Sequence, residues 1–229
     1  PDVLSSLVQP SLPGATAVSP LPETPKATHL RLRTELVSYQ NEALARHFER
    51  LTMPLQAPME RSAQSRLWQR LCNSLFRVLA YKDEFEVARL HMDREWERAV
   101  LSGFEPGAKL VRHVAPEWMG ASKNPSGGPT VRPAKISLGP WSRPLWWLLA
   151  RLRGLRGTPL NPFAHSQDAK NQRILRQLFE TLCLLMQNDP SMLRHSKQIE
   201  AILSLFDDVK GYGQVRQSAF ARVINPLRT

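Results

Sequence analysis

Three arginines and two glycines form the chemically most distinctive segment of the sequence. Arg151, Arg153 and Arg156 alternate with Gly154 and Gly157. A guanidinium can hold a phosphate or a carboxylate through two parallel hydrogen bonds, and a glycine lets backbone N–H groups approach an anion. The segment is therefore a candidate contact for an anion or for an acidic domain face. The structural alternative is a helix C-terminus that ends at Gly154 and whose dipole the arginines stabilise.

A second group with conceivable chemistry is the acidic run of Asp83, Glu84 and Glu86. On a helix, Asp83 and Glu86 would share a face, whereas Glu84 would point elsewhere. No histidine or metal-ligand pattern accompanies these acids, and carboxylates in the first turn of a helix are stabilised by its dipole. We interpret the run as structural and predict no catalytic residue.

The cysteines and histidines do not form a metal-binding pattern. Cys72 and Cys183 are the only cysteines, and both lie in apolar helical patterns. The histidines His91, His113 and His165 lack metal-ligand spacing. The sequence therefore predicts no metal ligand, no iron–sulfur cluster and no cofactor-binding residue in this segment. Free cysteines of this kind fit a reducing cytosol.

The tryptophans Trp141, Trp146 and Trp147 lie beside the three arginines. Aromatic side chains in a basic groove can stack on single-stranded nucleic acid. These tryptophans occur in a run with leucines, which favours burial, and no nucleic-acid recognition motif is present. Nucleic-acid binding is kept as an alternative function.

Composition and charge narrow the class of protein. Of the 229 residues, 42% are hydrophobic and 22% charged, which is typical of a globular chain, and the net charge is +11. Between Gly107 and Thr158, nine basic residues accompany a single acid, Glu117. This concentration of charge favours an acidic partner, a phosphate or another domain. The strongest apolar run, Pro144 to Ala150, is too short to span a bilayer, so we expect no membrane partner.

Hydrophobic periodicity predicts a mainly α fold, α+β at most. Residues 1–28 contain six prolines and are expected to be an extended or disordered linker, and a first residue other than Met suggests a piece of a longer protein. Residues 29–229 are expected to form a helical domain with a small antiparallel β-hairpin near 108–138. The predicted helices are 30–51, 60–81, 83–101, 146–150, 167–188, 191–209 and 214–223.

Three details of this prediction can be checked directly. The helix that starts after the capping residue Ser166 has the clearest apolar stripe in the chain. Its members are Ile174, Leu175, Leu178, Leu182, Leu185 and Met186. The strands are predicted at 109–114 and 134–138, joined by a polar loop at 122–129, and Gly211-Tyr212-Gly213 is predicted to be a turn.

Five short segments resemble, in the same order, the C-terminal region of the single-chain indolepyruvate ferredoxin oxidoreductases, a family of 2-oxoacid oxidoreductases. They are AYKDEFEVARLH (80–91), HVAP (113–116), GPW (139–141), LARLRGLRGT (149–158, with Phe163 following) and GYGQVR (211–216). The resemblance covers about Arg31 to Arg222. Gln214 stands where the family usually has histidine.

The resemblance implies a parent enzyme that oxidatively decarboxylates aryl 2-oxo acids, such as indolepyruvate, to acyl-CoA. It implies thiamine diphosphate, iron–sulfur clusters, coenzyme A as co-substrate and a ferredoxin-type electron acceptor, with the cofactors held by other domains. This segment would then be a cytoplasmic structural or assembly domain that packs against other domains or subunits. Arg151, Arg153 and Arg156 would contact an acidic domain face or a coenzyme A phosphate. The alternative is a basic helical module that binds nucleic acid or an acidic protein.

Overall fold

A computed structural model describes residues 23–105, 107–114, 136–209 and 214–224. In these ranges the fold is mainly α, as predicted. The helices and strands there are α1 (Pro25–Tyr39), α2 (Glu42–Arg61), α3 (Ser65–Leu79), α4 (Glu84–His91), α5 (Arg94–Leu101), β1 (Arg112–Val114), β2 (Ile136–Leu138), α6 (Arg143–Arg151), α7 (Gln167–Asn188), α8 (Ser196–Asp208) and α9 (Gln214–Ile224). Short 3₁₀ segments are Pro140–Ser142, Leu152–Leu155 and Pro190–Arg194. The predicted loop 122–129, the turn 211–213 and linker residues 1–22 lie outside the described residues.

The first helix begins inside the predicted linker. The Thr24 hydroxyl accepts a hydrogen bond from the Ala27 N–H at 3.3 Å, and Pro25 takes the first helical position, where a missing N–H is harmless. The prediction of an extended chain was therefore wrong for 25–28. The helix predicted at 30–51 is also divided, because the Asn41 side chain accepts from the Leu44 N–H at 3.0 Å and caps α2.

Helix α2 continues through two prolines that the sequence pattern had placed outside it. Pro54 has no N–H, so the Arg50 carbonyl four residues earlier loses its helical donor. The Gln187 side-chain amide of α7 donates to that carbonyl at 3.2 Å and to the Leu51 carbonyl at 2.9 Å. A side chain from another helix thus supplies the hydrogen bond that Pro54 cannot donate to the Arg50 carbonyl. A local sequence pattern does not reveal such a partner.

The main core lies between α1, α2, α3, α7, α8 and α9. Among its fully buried side chains are Leu36 of α1, Phe48 of α2, Leu71 of α3, Phe179 of α7 and Leu203 of α8. No helix in the described part of the chain is long and apolar enough to cross a membrane. The buried side chains of the main core show that these helices pack their apolar faces against one another.

The apolar stripe predicted for α7 is partly wrong. The cap at Ser166 is confirmed, since its hydroxyl accepts from the Ala169 N–H at 3.1 Å. Leu175, Leu182 and Met186 are buried as expected, but Phe179 takes a central place and Leu185 is 50% exposed. Leucines lie on more than one side of α7, so the neighbouring helices select which side is buried.

A smaller apolar cluster joins α4, α6 and β2. Ala88, Leu138 and Trp146 form its buried centre. Strands β1 and β2 pair antiparallel, with Arg112 opposite Leu138 and Val114 opposite Ile136. The antiparallel pairing is confirmed, although each described strand is only three residues long. The helix predicted at 83–101 is two helices, α4 and α5.

One histidine is part of the main core. The His29 ring is stacked between Phe48 and Trp68, with centroid distances of 4.9 and 5.2 Å. The Thr52 hydroxyl donates to the Phe48 carbonyl at 2.8 Å, so it accepts from His29 Nε2 at 2.9 Å. The imidazole therefore carries a proton on Nε2.

We expect this buried imidazole to make the fold less stable in mild acid. Burial lowers the pKa of His29 below 6.5, against the opposing effect of Glu49. The unfolded chain then binds a proton below pH 6.5 that the folded chain resists, so the free energy of unfolding falls as the pH drops below that value. Chemical denaturation between pH 7 and 5 measures the effect. The His29→Phe variant keeps an aromatic ring between Phe48 and Trp68, and an equal pH dependence in this variant would contradict the assignment.

Candidate functional site

The structure separates the three arginines that the sequence groups together. Arg151 ends α6, and its guanidinium lies 4.5 Å from the centre of the Trp147 ring. Arg153 is partly buried and donates to the Ser38 carbonyl. Arg156 is buried beneath the start of α4. The three arginines therefore do not form a single anion-binding site. Gly154 lies within the 3₁₀ segment that follows α6, so it is not the helix cap considered above.

Arg156 forms a buried, bidentate ion pair with Asp83. Its Nε donates to Asp83 Oδ2 at 2.6 Å and its Nη2 to Oδ1 at 2.7 Å, with side-chain exposures of 8% and 6%. Nη1 donates to the Tyr39 carbonyl at the end of α1. The guanidinium also lies 3.9 Å from the centre of the Tyr39 ring and 5.5 Å from that of Phe85. One side chain thus joins α1, α4 and the segment after α6.

The Asp83 carboxylate also has a second structural role. It caps α4 by accepting from the Glu86 N–H at 2.8 Å. Burial alone would lower the pKa of Arg156, but the hydrogen bond to Asp83 raises it above the ordinary value. Arg156 therefore keeps its charge, and both oxygens of the Asp83 carboxylate accept hydrogen bonds. This arrangement braces the fold and leaves Asp83 poorly suited to act as a base.

A second buried group adjoins this ion pair. The Gln172 amide of α7 donates to the Val78 carbonyl of α3 and accepts from the Arg216 guanidinium of α9. Arg216 lies 5.1 Å from the centre of the Tyr81 ring, and the Tyr39 hydroxyl donates to the Tyr81 carbonyl at 3.0 Å. We call these residues together the arginine junction: Tyr39, Tyr81, Asp83, Arg156, Gln172 and Arg216.

One residue of the acidic run, Glu84, has a shifted carboxyl pKa. Burial raises the pKa of Glu84 above its usual 4.5, with Asp83 and Asp168 adding to the effect. A perturbed carboxyl of this kind is a candidate for acid–base chemistry when a nucleophile or metal ligand accompanies it. In the described ranges, no group of three or more His, Cys, Asp or Glu side chains could hold a metal ion. Asp83 and Glu86 instead take part in the ion pairs of Arg156 and Arg89.

The expectation that all three tryptophans are buried was wrong. Trp146 is 5% exposed and donates from Nε1 to the Ser142 hydroxyl at 2.9 Å. Its ring also lies 4.9 Å from the His91 ring, which gives that histidine a packing role. Trp141 and Trp147 are 72% and 49% exposed. Because α6 is apolar on nearly every side, burying Trp146 leaves Trp147 at the surface, whereas Trp141 lies in the 3₁₀ segment before α6.

The two cysteines are free and buried, as expected from their apolar surroundings. Burial raises the pKa of Cys183 to about 12 and that of Cys72 still further above the ordinary value. We therefore expect neither thiol to react with Ellman's reagent at pH 8 while the protein is folded, and both to react after denaturation. A stoichiometric reaction of the native protein would contradict this buried position.

Sequence reasoning missed how the arginine junction is assembled. Tyr39, Gln172 and Arg216 come from three helices that are distant along the chain. A buried Gln or Arg in an amphipathic pattern resembles a solvent-facing residue until its partner is known. The other three members, and Arg216 itself, lay in segments already singled out, but nothing in their spacing indicated that they meet.

A protein-family model matches most of the chain. The model of a family described as a family of unknown function (DUF6537) matches residues 28–227. No curated protein and no solved structure matches the chain.

Proposed function

The chain belongs to DUF6537, a family of unknown function, and we propose that its matched region is a structural and assembly domain of an enzyme similar to the indolepyruvate ferredoxin oxidoreductases. It would lie in the C-terminal part of a cytoplasmic parent chain that oxidises aryl 2-oxo acids to acyl-CoA. The family match spans nearly the same residues as the sequence resemblance, 28–227 against about 31–222. A role is therefore proposed for the domain as a whole.

The Asp83–Arg156 ion pair is the observation that supports this proposal. Asp83 belongs to the resembling segment 80–91 and Arg156 to the segment 149–158. Phe85 and Phe163, which belong to the same two regions, meet edge to face at 5.3 Å. Arg216, from the last resembling segment, belongs to the arginine junction as well. Residues of the segments that resemble the oxidoreductases thus connect different helices, as expected in a structural domain.

The proposed cofactors do not fit the residues of this segment. An iron–sulfur cluster needs several cysteine thiolates, whereas the two cysteines here are buried and have raised pKa values. We therefore assign iron–sulfur clusters and thiamine diphosphate to other domains of the parent enzyme. Coenzyme A and a ferredoxin-type acceptor would be used by that whole enzyme.

The test uses the full natural chain from which this sequence comes. We expect it to reduce ferredoxin in the presence of indolepyruvate and coenzyme A, and the 229-residue chain alone to be inactive. Deleting the matched region should reduce assembly of the parent enzyme, measured by analytical ultracentrifugation. Absence of 2-oxoacid oxidation by the full chain, or turnover by the 229 residues alone, would refute the proposal.

A basic interaction module is the second candidate, and one observation favours it. Trp141 and Trp147 are exposed, and Arg151 covers one face of the Trp147 ring. Such side chains suit stacked bases or an apolar, acidic protein surface. Single-stranded DNA that binds with a steep salt dependence, and that binds less to a Trp141→Ser/Trp147→Ser variant, would support this candidate over the first.

A further inference from the structure

A basic groove lies between α3 and α8, apart from all the segments that resemble the oxidoreductases. Its volume is about 450 Å³, within the usual range for small-ligand sites. The side chains that matter for its chemistry are Arg66, Arg70, Asn73, Ser74, Arg77 and Asp207. None of them belongs to the arginine junction.

Four of these residues lie along one stripe of α3. Arg66, Arg70, Asn73 and Arg77 follow the spacing i, i+4, i+7, i+11, which keeps them on one face of a helix. Arg66 and Arg77 are about 16 Å apart along the helix axis. Two arginines at i and i+4 repel each other, so this stripe destabilises α3 unless anions compensate it.

A single carboxylate of α8 organises part of the stripe. Asp207 Oδ1 accepts from the Ser74 hydroxyl at 2.9 Å and from Arg77 Nη1 at 3.1 Å. Its Oδ2 lies 3.7 Å from Arg70 Nη2, which also donates to the Ser204 hydroxyl at 2.6 Å. Asp207 therefore orients two guanidiniums while leaving several of their N–H groups for another acceptor.

The groove keeps an excess of positive charge. Three guanidiniums, which cannot lose their protons at physiological pH, face one carboxylate. In the described part of the chain, Arg66 has no ion pair. Guanidinium forks bind phosphate oxygens with paired hydrogen bonds.

We propose that this groove binds a small ligand that carries two linked phosphate groups. One phosphate lies between Arg66 and Arg70, and the linked phosphate lies between Arg70 and Arg77, whose guanidiniums both contact the Asp207 carboxylate. The separation of these arginines along α3 favours two anionic groups over one. The proposal is independent of the proposed oxidoreductase role, because no lining residue comes from the resembling segments.

Isothermal titration with pyrophosphate at constant ionic strength tests the proposal, with inorganic phosphate and malonate as comparison ligands. We expect saturable pyrophosphate binding that is stronger than binding of either comparison ligand. The Arg66→Gln/Arg77→Gln variant should have a dissociation constant for pyrophosphate at least about tenfold higher, since it loses two charge-assisted contacts. The matched control is Arg46→Gln/Arg50→Gln, which removes the same charge from the exposed side of α2 and should change the affinity less than about twofold.

Three results would overturn the proposal. They are absence of saturable pyrophosphate binding, equal weakening by the control variant, and malonate binding as strong as that of pyrophosphate. Circular dichroism melting of both variants checks that the fold is intact. A single-stranded oligonucleotide that binds more tightly than pyrophosphate and depends on Arg66 and Arg77 would also reject a small ligand, because it would identify the groove as a nucleic-acid surface.

Discussion

Replacement of Arg156 by alanine is expected to lower the free energy of unfolding by about 3–5 kcal/mol, because it leaves the Asp83 carboxylate charged and buried without its partner. The change also removes the donor to the Tyr39 carbonyl and the cation that lies over the Tyr39 ring. Urea denaturation, monitored by circular dichroism, measures the loss.

The same segment supplies matched controls for this substitution. Arg151→Ala removes the same charge from an exposed position and should change stability by less than about 1 kcal/mol. Arg153→Ala also removes the hydrogen bond to the Ser38 carbonyl and should cost about 1 kcal/mol. A double variant, Arg156→Leu/Asp83→Leu, should be more stable than Arg156→Ala, since it removes both buried charges. Equal losses for all three arginines would mean that the buried ion pair does not brace the domain.

Replacement of Phe179 by alanine is expected to cost about 3–5 kcal/mol of stability, which is typical of a fully buried aromatic residue. Phe179 packs against Phe206 with ring centres 4.7 Å apart and so joins α7 to α8. Truncation leaves a cavity in the middle of the main core that the surrounding helices fill only in part. Thermal and urea unfolding of the variant measure the loss.

Leu185→Ala on the same helix is the informative comparison. The apolar pattern of α7 alone predicts a large loss at this position, but the side chain is half exposed, so we expect a change of less than about 1 kcal/mol. A loss at Leu185 as large as the loss at Phe179 would mean that α7 packs through the side that its leucine pattern predicts.

Local signals predicted the helical class and several boundaries. Ser166 caps α7, the helix ends at Asn188 before the Asp189-Pro190 break, and α9 begins at Gln214. These features depend on residues within one or two turns of each other. The division between α1 and α2 was also available locally, because Asn41 is a good cap, but the apolar residues on both sides of it concealed the break.

Distant partners determined the features that the pattern missed. Helix α2 continues past Pro54 because Gln187 of α7 satisfies the Arg50 carbonyl. The proposed groove depends on Asp207 of α8, which orients arginines of α3 that lie 130 and 137 residues earlier in the chain. No local spacing specifies such partners.

The sequence by itself determined a basic, mainly helical domain with free cysteines in apolar surroundings, because periodicity, caps and charge are properties of neighbouring residues. Only the tertiary structure decided that Arg156 is buried against Asp83 while Arg151 is exposed and Arg153 is partly buried. The physical reason is that burial depends on what the rest of the chain brings to each side chain. Three arginines of one short segment therefore have three different environments.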